Sequence, residues 1–291
     1  MKQKTRESLA GWSFVGVSLL GVLIFSVIPF IISISYSFSK TTVGFQFAGF
    51  QNYLDLFSSR AFLRALGNTL RFIVCGVPLL MLFSGGLALI FNHLNRQNFR
   101  RLDLWFALSL IPMLIPSSVT VLFVRIFFDT YGIVNGWLQK LNLEPVDWMN
   151  SNWAVVLLIG IYLWKNFSYI TVIPLGALQS IPPVTLEAAQ LDGANSRQIL
   201  LHITLPQILP FLEFSLLLSV MDIFKMFRES YLLFGDYPHD SVYMLQNFMN
   251  NNFYSINYQR LSSASVIFCL LISAAIFFMV KRRAGKLSEG L

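Results

Sequence analysis

Residues 187–206 read EAAQLDGANSRQILLHITLP, a polar stretch inside an otherwise apolar chain. Pro182 and Pro183 end the apolar segment before it, and Thr185 is placed to cap a new helix. An acid such as Glu187 in the first turn suits the positive end of the helix dipole. The pattern predicts a short amphipathic helix of about two turns.

Gly193 predicts the end of that helix, because glycine adopts the left-handed conformation that lets the chain turn. The helix would run to Asp192, and a second helix would start from Ala194 and lead to Pro206, where the chain enters the next apolar segment. We therefore expect two short surface helices that meet at a glycine, over about residues 182–206.

Two interpretations of this surface remain open. Ala188 and Ala189, surrounded by Glu187, Asp192 and Arg197, form a small-residue surface that suits a groove on another protein better than lipid. An ordinary solvated loop helix would have the same composition. The residues alone do not separate a docking surface from a loop.

The rest of the chain is composed like a membrane protein. Of its 291 residues, 55% are hydrophobic and 12% are charged, whereas soluble domains carry about 25% charged residues. Four charge-free runs have the roughly 20 residues that a helix needs to cross a bilayer. These runs are residues 8–39, 72–95, 104–124 and 261–280.

Two further spans contain charges, about residues 152–176 and about residues 207–233. The four charge-free runs and these two spans together predict an all-α, polytopic membrane protein with six transmembrane helices. Pro112 and Pro116 should bend the third of them, because proline removes a backbone donor. A short surface helix is expected in the aromatic and charged segment that follows the first span.

Basic residues concentrate in alternate loops, as they do on the cytoplasmic side of membrane proteins. The side richer in basic residues holds Lys2, Lys4, Arg6, Arg96, Arg100, Arg101, Arg197, Lys281, Arg282, Arg283 and Lys286. Both termini are therefore predicted to be cytoplasmic. The formal charge of +7 is explained by this bias, and no nucleic-acid partner is expected.

Motifs for catalysis or metal binding are missing from the sequence. There is no phosphate-binding GxxxxGK[ST] loop and no HExxH, and the two cysteines, Cys75 and Cys269, both fall in apolar spans. The first span is too long for a secretory signal peptide and lacks a small-residue cleavage site. We expect a non-enzymatic chain with no metal and no bound cofactor.

Ionisable residues inside the spans are candidates for a binding site, because they are costly in a membrane. Asp222, Lys225, Met226 and Glu229 follow helical spacing and should share a face, and Lys165 lies at a similar depth. The alternative is that Lys165 pairs with Asp222 or Glu229 only to neutralise buried charge, while the other cations extend outwards.

The motif EAAxxDGAxxxxxxxxIxxPxxxP, preceded by GALQSIPPVTL, resembles the EAA loop of the membrane subunits of ATP-binding-cassette importers. The pattern is most similar to carbohydrate-type permeases of the maltose and glycerol-phosphate class. Two positions depart from it: Leu186 replaces a frequent tyrosine, and FGDYP replaces a glycine-rich turn. The likeness is specific through the fourth and fifth spans and weaker elsewhere.

The resemblance implies a type I importer permease in which the EAA loop couples to the ATPase. The coupling residues carried over are Glu187, Ala188, Ala189, Asp192, Gly193, Ala194 and Arg197. With the charged face just described, the implied substrate site comprises Tyr162, Lys165, Asn166, Tyr169, Asp222, Ile223, Met226 and Glu229. A polar or anionic saccharide would suit such a set of aromatic, amide and charged groups.

The implied partners are a second homologous permease, two ATPase subunits that use ATP and Mg, an extracytoplasmic solute-binding protein, membrane lipid and a carbohydrate. The expected location is the bacterial cytoplasmic membrane. Residues 1–65 would hold the first helix and an extracytoplasmic segment, residues 66–282 the core permease domain, and residues 283–291 a cytoplasmic tail. Import of a phosphodiester or peptide, or an independent secondary transporter, remain alternatives.

Overall fold

The computed structural model describes residues 15–288, and these are helical with no β-strand. The bounds of the helices are α1 Val15–Ser37, α2 Gln51–Ser58, α3 Arg60–Arg96, α4 Leu102–Ser109, α5 Ile111–Leu114, α6 Ser117–Phe128, α7 Ile133–Lys140, α8 Trp153–Gln179, α9 Pro183–Leu191, α10 Ser196–Ile199, α11 Leu205–Lys225, α12 Phe227–Phe234, α13 Leu245–Tyr254 and α14 Tyr258–Ser288. A π-helical segment, Leu200–Thr204, joins α10 to α11 without a break. The predicted all-α fold is confirmed. The basic residues Lys2, Lys4 and Arg6 and the end of the predicted tail lie outside the described residues.

Five helical stretches within the described residues are long and apolar enough to cross a membrane: Val15–Ser37, Arg60–Arg96, Ser117–Lys140, Trp153–Gln179 and Ser196–Phe234. Two shorter apolar stretches accompany them, Leu102–Leu114 and Tyr258–Ala274. The predicted third span is divided between α4, α5 and α6, and the predicted sixth span overlaps the second short stretch.

The breaks in the third span follow its prolines. Helix α5 has Pro112 near its start, and Pro116 has an extended ψ of 146° that places it just before α6. A proline ring fixes φ and disfavours a helical residue before it, so each proline separates two helical segments. The predicted bend is confirmed as two interruptions.

The chain divides into two compact units, one formed by the described residues up to Leu63 and from Phe248 onward, the other by Arg64–Asn247. In the first unit, α14 packs against α1 and α2. Asn52 in α2 donates to the backbone carbonyls of Ser37 (2.9 Å) and Ser39 (2.8 Å). This satisfies carbonyls at the end of α1, and α2 is the short surface helix that the sequence predicts.

The second unit is built around α8, which packs against α5 and α11. Its larger apolar core includes Phe72, Leu80, Leu158, Tyr162 and Ile223, each at most 2% exposed. Lipid is as apolar as these side chains, so helices within a membrane are held together by van der Waals packing, and the close contacts of these residues hold α3, α8 and α11 together. That scaffold carries the charged groups described next.

Candidate functional site

The polar stretch at residues 187–206 lies in two helices that meet at Gly193: α9, and α10, which continues through the π-helical segment Leu200–Thr204 into α11. The Gly193 amide donates to Gln190 O and the Ala194 amide donates to Ala189 O, both at 3.0 Å. Gly193 has φ +82°, a left-handed conformation that glycine adopts without strain. These two bonds form a Schellman turn, so the predicted glycine-ended helix is confirmed.

The helix starts differ from the prediction. Helix α9 begins at Pro183 without a side-chain cap, so Thr185 lies inside the helix and the predicted Thr185 cap is wrong. The second helix begins at Ser196, two residues later than expected, because Asn195 and Gln198 cap it reciprocally. A proline at the first helical position needs no amide partner, which explains the early start of α9.

Leu186 anchors the pair of helices to the body of the protein. It is 6% exposed and packs in a second apolar cluster with Phe91, Leu178, Ile181 and Ile208. These residues come from α3, α8, the turn before α9, and α11, so the position of α9 is tied to the ends of three long helices. A displacement of α9 would therefore be transmitted to them through packed side chains.

The other faces of this pair of helices are open. Of the seven predicted coupling residues, Ala189 and Ala194 are partly exposed and the other five are exposed: Glu187, Ala188, Asp192, Gly193 and Arg197. Val184 and Leu191 are 72% and 90% exposed, and their i, i+7 spacing places them on one face of α9. The sequence analysis did not single out these two apolar residues, although their spacing signals a shared face.

A cavity of about 480 Å³ lies beside α8, α11 and α12 in the second unit. Its volume is within the roughly 300–1,000 Å³ range of ligand pockets. Its lining consists of Met113, Ser117, Lys165, Asn166, Tyr169, Asp222, Lys225, Met226, Arg228 and Glu229. Six of the eight predicted substrate-site residues are therefore brought together here.

An interruption of the fifth long helical segment shapes this cavity. Helix α11 ends at Lys225 and α12 begins at Phe227, with Met226 between them. The charged face that the sequence places on one continuous helix is thus divided between the end of α11 and the start of α12. Both parts still face the same cavity, together with Lys165 of α8.

Two ion pairs lie in the cavity wall. Lys165 Nζ lies 2.6 Å from Glu229 Oε1, which also accepts a hydrogen bond from Ser117 Oγ at 2.7 Å. Lys225 Nζ lies 2.6 Å from Asp222 Oδ1. Side-chain exposure is 5% for each carboxylate and 14% for Lys165, but 74% for Lys225. Both carboxylates are recessed, whereas the Lys225 cation is open.

Tyr162 and Ile223 do not line the cavity, contrary to the prediction. Both are fully buried in the larger core, and the Tyr162 hydroxyl donates to Ser219 O at 2.7 Å. That bond joins α8 to α11 and satisfies the phenol inside the protein. Four lining residues were not assigned to the substrate site in the sequence analysis: Met113, Ser117, Lys225 and Arg228. The sequence signal near Met113 and Ser117 was the pair of prolines directly before them, Pro112 and Pro116, which predict breaks in the third span.

Comparison with known proteins decides the family. Residues 84–286 match the family described as "Binding-protein-dependent transport system inner membrane component". The chain belongs to this family.

Other permeases are similar in sequence to this binding-protein-dependent permease over most of its length. The sulfoquinovosyl glycerol transport system permease protein of Agrobacterium fabrum is 30% identical over 79% of this chain and 75% of its own length. The trehalose/maltose transport system permease protein of Thermococcus litoralis is 28% identical over 96% of this chain and 95% of its own. Both names describe carbohydrate or glycoside transport.

A solved structure shares the fold. A bacterial ABC transporter involved in the import of the acidic polysaccharide alginate matches with a TM-score of 0.83 and 21% identity, covering 96% of each chain. As a member of a family of inner membrane transport components with several apolar helices, the binding-protein-dependent permease is a multi-pass membrane subunit rather than a catalytic one. Among the residues that the structure describes, no group of His, Cys, Asp and Glu could hold a metal ion.

Proposed function

We propose that the protein is one of two permease subunits of an ATP-driven importer that carries a sugar or oligosaccharide across the bacterial cytoplasmic membrane. The observation that carries this proposal is the exposed pair of helices, α9 and α10, on an otherwise apolar membrane protein. The partners are a homologous permease, two ATPase subunits that use ATP and Mg, and an extracytoplasmic solute-binding protein.

The polar helix pair is the contact with the ATPase. Glu187 and Arg197 offer exposed charges, Ala188 lets a partner backbone approach closely, and Leu191 adds an exposed apolar side chain that a groove can bury. Leu186 ties the same helix to the membrane helices. Closure of the ATPase pair would move α9 and, through Leu186, shift the membrane helices between inward-open and outward-open states.

The cavity beside α8 and α12 is the solute site. Tyr169 supplies an aromatic face on which a sugar ring can stack. Asn166 donates its amide to Tyr162 O at 2.8 Å, which leaves its side-chain oxygen as an acceptor for hydroxyl groups. The named substrates of the similar permeases support a saccharide. Tyr162 and Ile223 shape the cavity from behind rather than touch the solute.

Charge reversal at Glu187 tests the coupling role. In the assembled transporter, Glu187→Lys should abolish most ATP-coupled uptake and weaken capture of the ATPase subunits, because a favourable contact becomes repulsive. The matched control is Glu144→Lys, at another exposed acid outside the helix pair. Full ATP-coupled transport by an assembled Glu187→Lys transporter would contradict the proposal.

A further inference from the structure

We infer that the cavity is built for an anionic saccharide, with Arg228 and Lys225 as the residues that bind its acidic group. This inference rests on the proposed function, because it takes the same cavity as the solute site. It goes further by naming the chemical class of the solute and the side chains that distinguish it from a neutral sugar.

The charges of the cavity favour an anion. Three basic and two acidic side chains line it, so its formal charge is +1. Both carboxylates already have an ammonium partner at 2.6 Å, Glu229 with Lys165 and Asp222 with Lys225. Arg228 lines the same cavity, is exposed, and has no carboxylate partner among the described residues. The uncompensated charge is therefore a guanidinium.

Burial determines which of these charges a ligand meets first. The Asp222 and Glu229 side chains are each 5% exposed, whereas Lys225 is 74% exposed. Lys225 uses one of its three ammonium donors on Asp222, and two remain for a ligand. A solute entering the cavity therefore meets Lys225 and Arg228, while the carboxylates stay behind them.

The surroundings strengthen this preference. Arg228 lines the cavity without a carboxylate partner among the described residues, and a bound anion would supply that counter-charge. Arginine is suited to this role because its planar donors match a carboxylate in a bidentate geometry. Tyr169 and Asn166 provide the ring face and hydroxyl partner that the rest of the sugar needs. A uronate meets all of these groups, whereas a neutral sugar leaves Arg228 unpaired.

Binding measurements on the complete transporter test this inference. The purified complex of both permeases and the ATPase subunits, without the solute-binding protein, is titrated in nanodiscs by calorimetry. The probes are tetrasaccharides of galacturonate, glucuronate and mannuronate, each paired with its methyl ester, and neutral maltotetraose. Esterification removes the charge but keeps the ring and the linkage. At least one uronate should bind about tenfold more tightly than its ester, as a charge-assisted contact implies.

Variants assign the preference to its residues. Arg228→Gln and Lys225→Gln should each lower the ratio of acid to ester affinity by several-fold, whereas Arg228→Lys should keep most of it. Lys140→Gln, which removes an exposed cation outside the cavity lining, should leave the ratio unchanged. A merely structural role would lower both affinities equally and would overturn the inference.

The remaining outcomes are distinguishable from one another. Binding of maltotetraose or an ester as tightly as of every uronate overturns the anionic preference and leaves the proposed function standing. An unchanged ratio in Arg228→Gln and Lys225→Gln overturns the assignment to these residues. If no saccharide binds and none is taken up by the complete transporter, the proposed function fails and this inference fails with it.

Discussion

Lys165 Nζ and Glu229 Oε1 lie 2.6 Å apart, although 64 positions separate the two residues in the sequence. Ser117 donates to the same carboxylate oxygen, so one acid joins α8, α12 and the start of α6. The Lys165 and Glu229 side chains are 14% and 5% exposed, which makes this a largely buried pair. A polar contact among three helices therefore stabilises the wall of the cavity. Two of these helices start beside it, α6 after Pro116 and α12 after Met226.

Loss of Lys165 should damage both stability and transport. Lys165→Met leaves Glu229 as an unpaired buried charge, and breaking such a pair costs about 3–5 kcal/mol. We expect a lower melting temperature of the purified complex and a strong loss of solute uptake. The control is Arg64→Met, which breaks the exposed Arg64–Asp240 pair and should cost at most about 1 kcal/mol. Unchanged transport of several sugars by Lys165→Met would exclude Lys165 from the site.

The turn at Gly193 should be sensitive to any side chain. Gly193 has φ +82° and open space around an added Cβ, so Gly193→Ala introduces backbone strain without a clash. The left-handed conformation costs a non-glycine residue about 1–2 kcal/mol, which should loosen the turn and reduce ATP-coupled uptake while the membrane helices stay folded. Gly136→Ala, in the interior of helix α7, should be neutral or slightly stabilising. Equal uptake by the two variants would argue against a role for the turn.

Leu191 should contribute to partner binding rather than to folding. Its 90% exposure means that Leu191→Asp removes almost no packing within this chain, so the melting temperature of the isolated permease should change little. The affinity of the Leu191→Asp permease for the ATPase subunits should fall by about tenfold, as expected for an apolar contact residue of an interface. The matched control is Val43→Asp, because Val43 is also apolar, is 91% exposed and lies outside the helix pair. Equal ATPase affinity of both variants would remove Leu191 from the interface.

Tyr162 should act through stability alone. Tyr162→Phe removes the buried hydrogen bond to Ser219 O, a net contribution of about 0.5–1.5 kcal/mol, while the carbonyl keeps its bond within the helix. We expect thermal unfolding at a lower temperature but an unchanged affinity for solute, because Tyr162 lies outside the cavity lining. A loss of solute affinity at unchanged stability would restore the sequence-based assignment of Tyr162 to the site.

The predictable features were among those that depend on local chemistry, although the predicted Thr185 cap was wrong. Apolar runs gave the membrane helices, Pro112 and Pro116 gave the interruptions of the third span, and Gly193 gave the left-handed turn. Each of these follows from the residue itself and its immediate neighbours.

Features that depend on packing between distant helices were not predictable. The family resemblance implied that Tyr162 shares the substrate site with Lys165, but the contact with Ser219 shows that α11 closes this part of α8. No proline or glycine lies at the break at Met226, so the sequence does not predict it. Ser117 became a partner of Glu229 only because a helix begins there and faces α12.

Reconstitution tests the central claim most directly. The chain is placed in proteoliposomes alone, and together with its second permease, ATPase subunits and loaded solute-binding protein, and uptake of labelled saccharide is measured with and without ATP and Mg. We predict uptake only by the complete set, only with ATP, and its loss when Glu187→Lys replaces the natural chain. ATP-independent uptake by the chain alone would contradict the account and identify a secondary transporter.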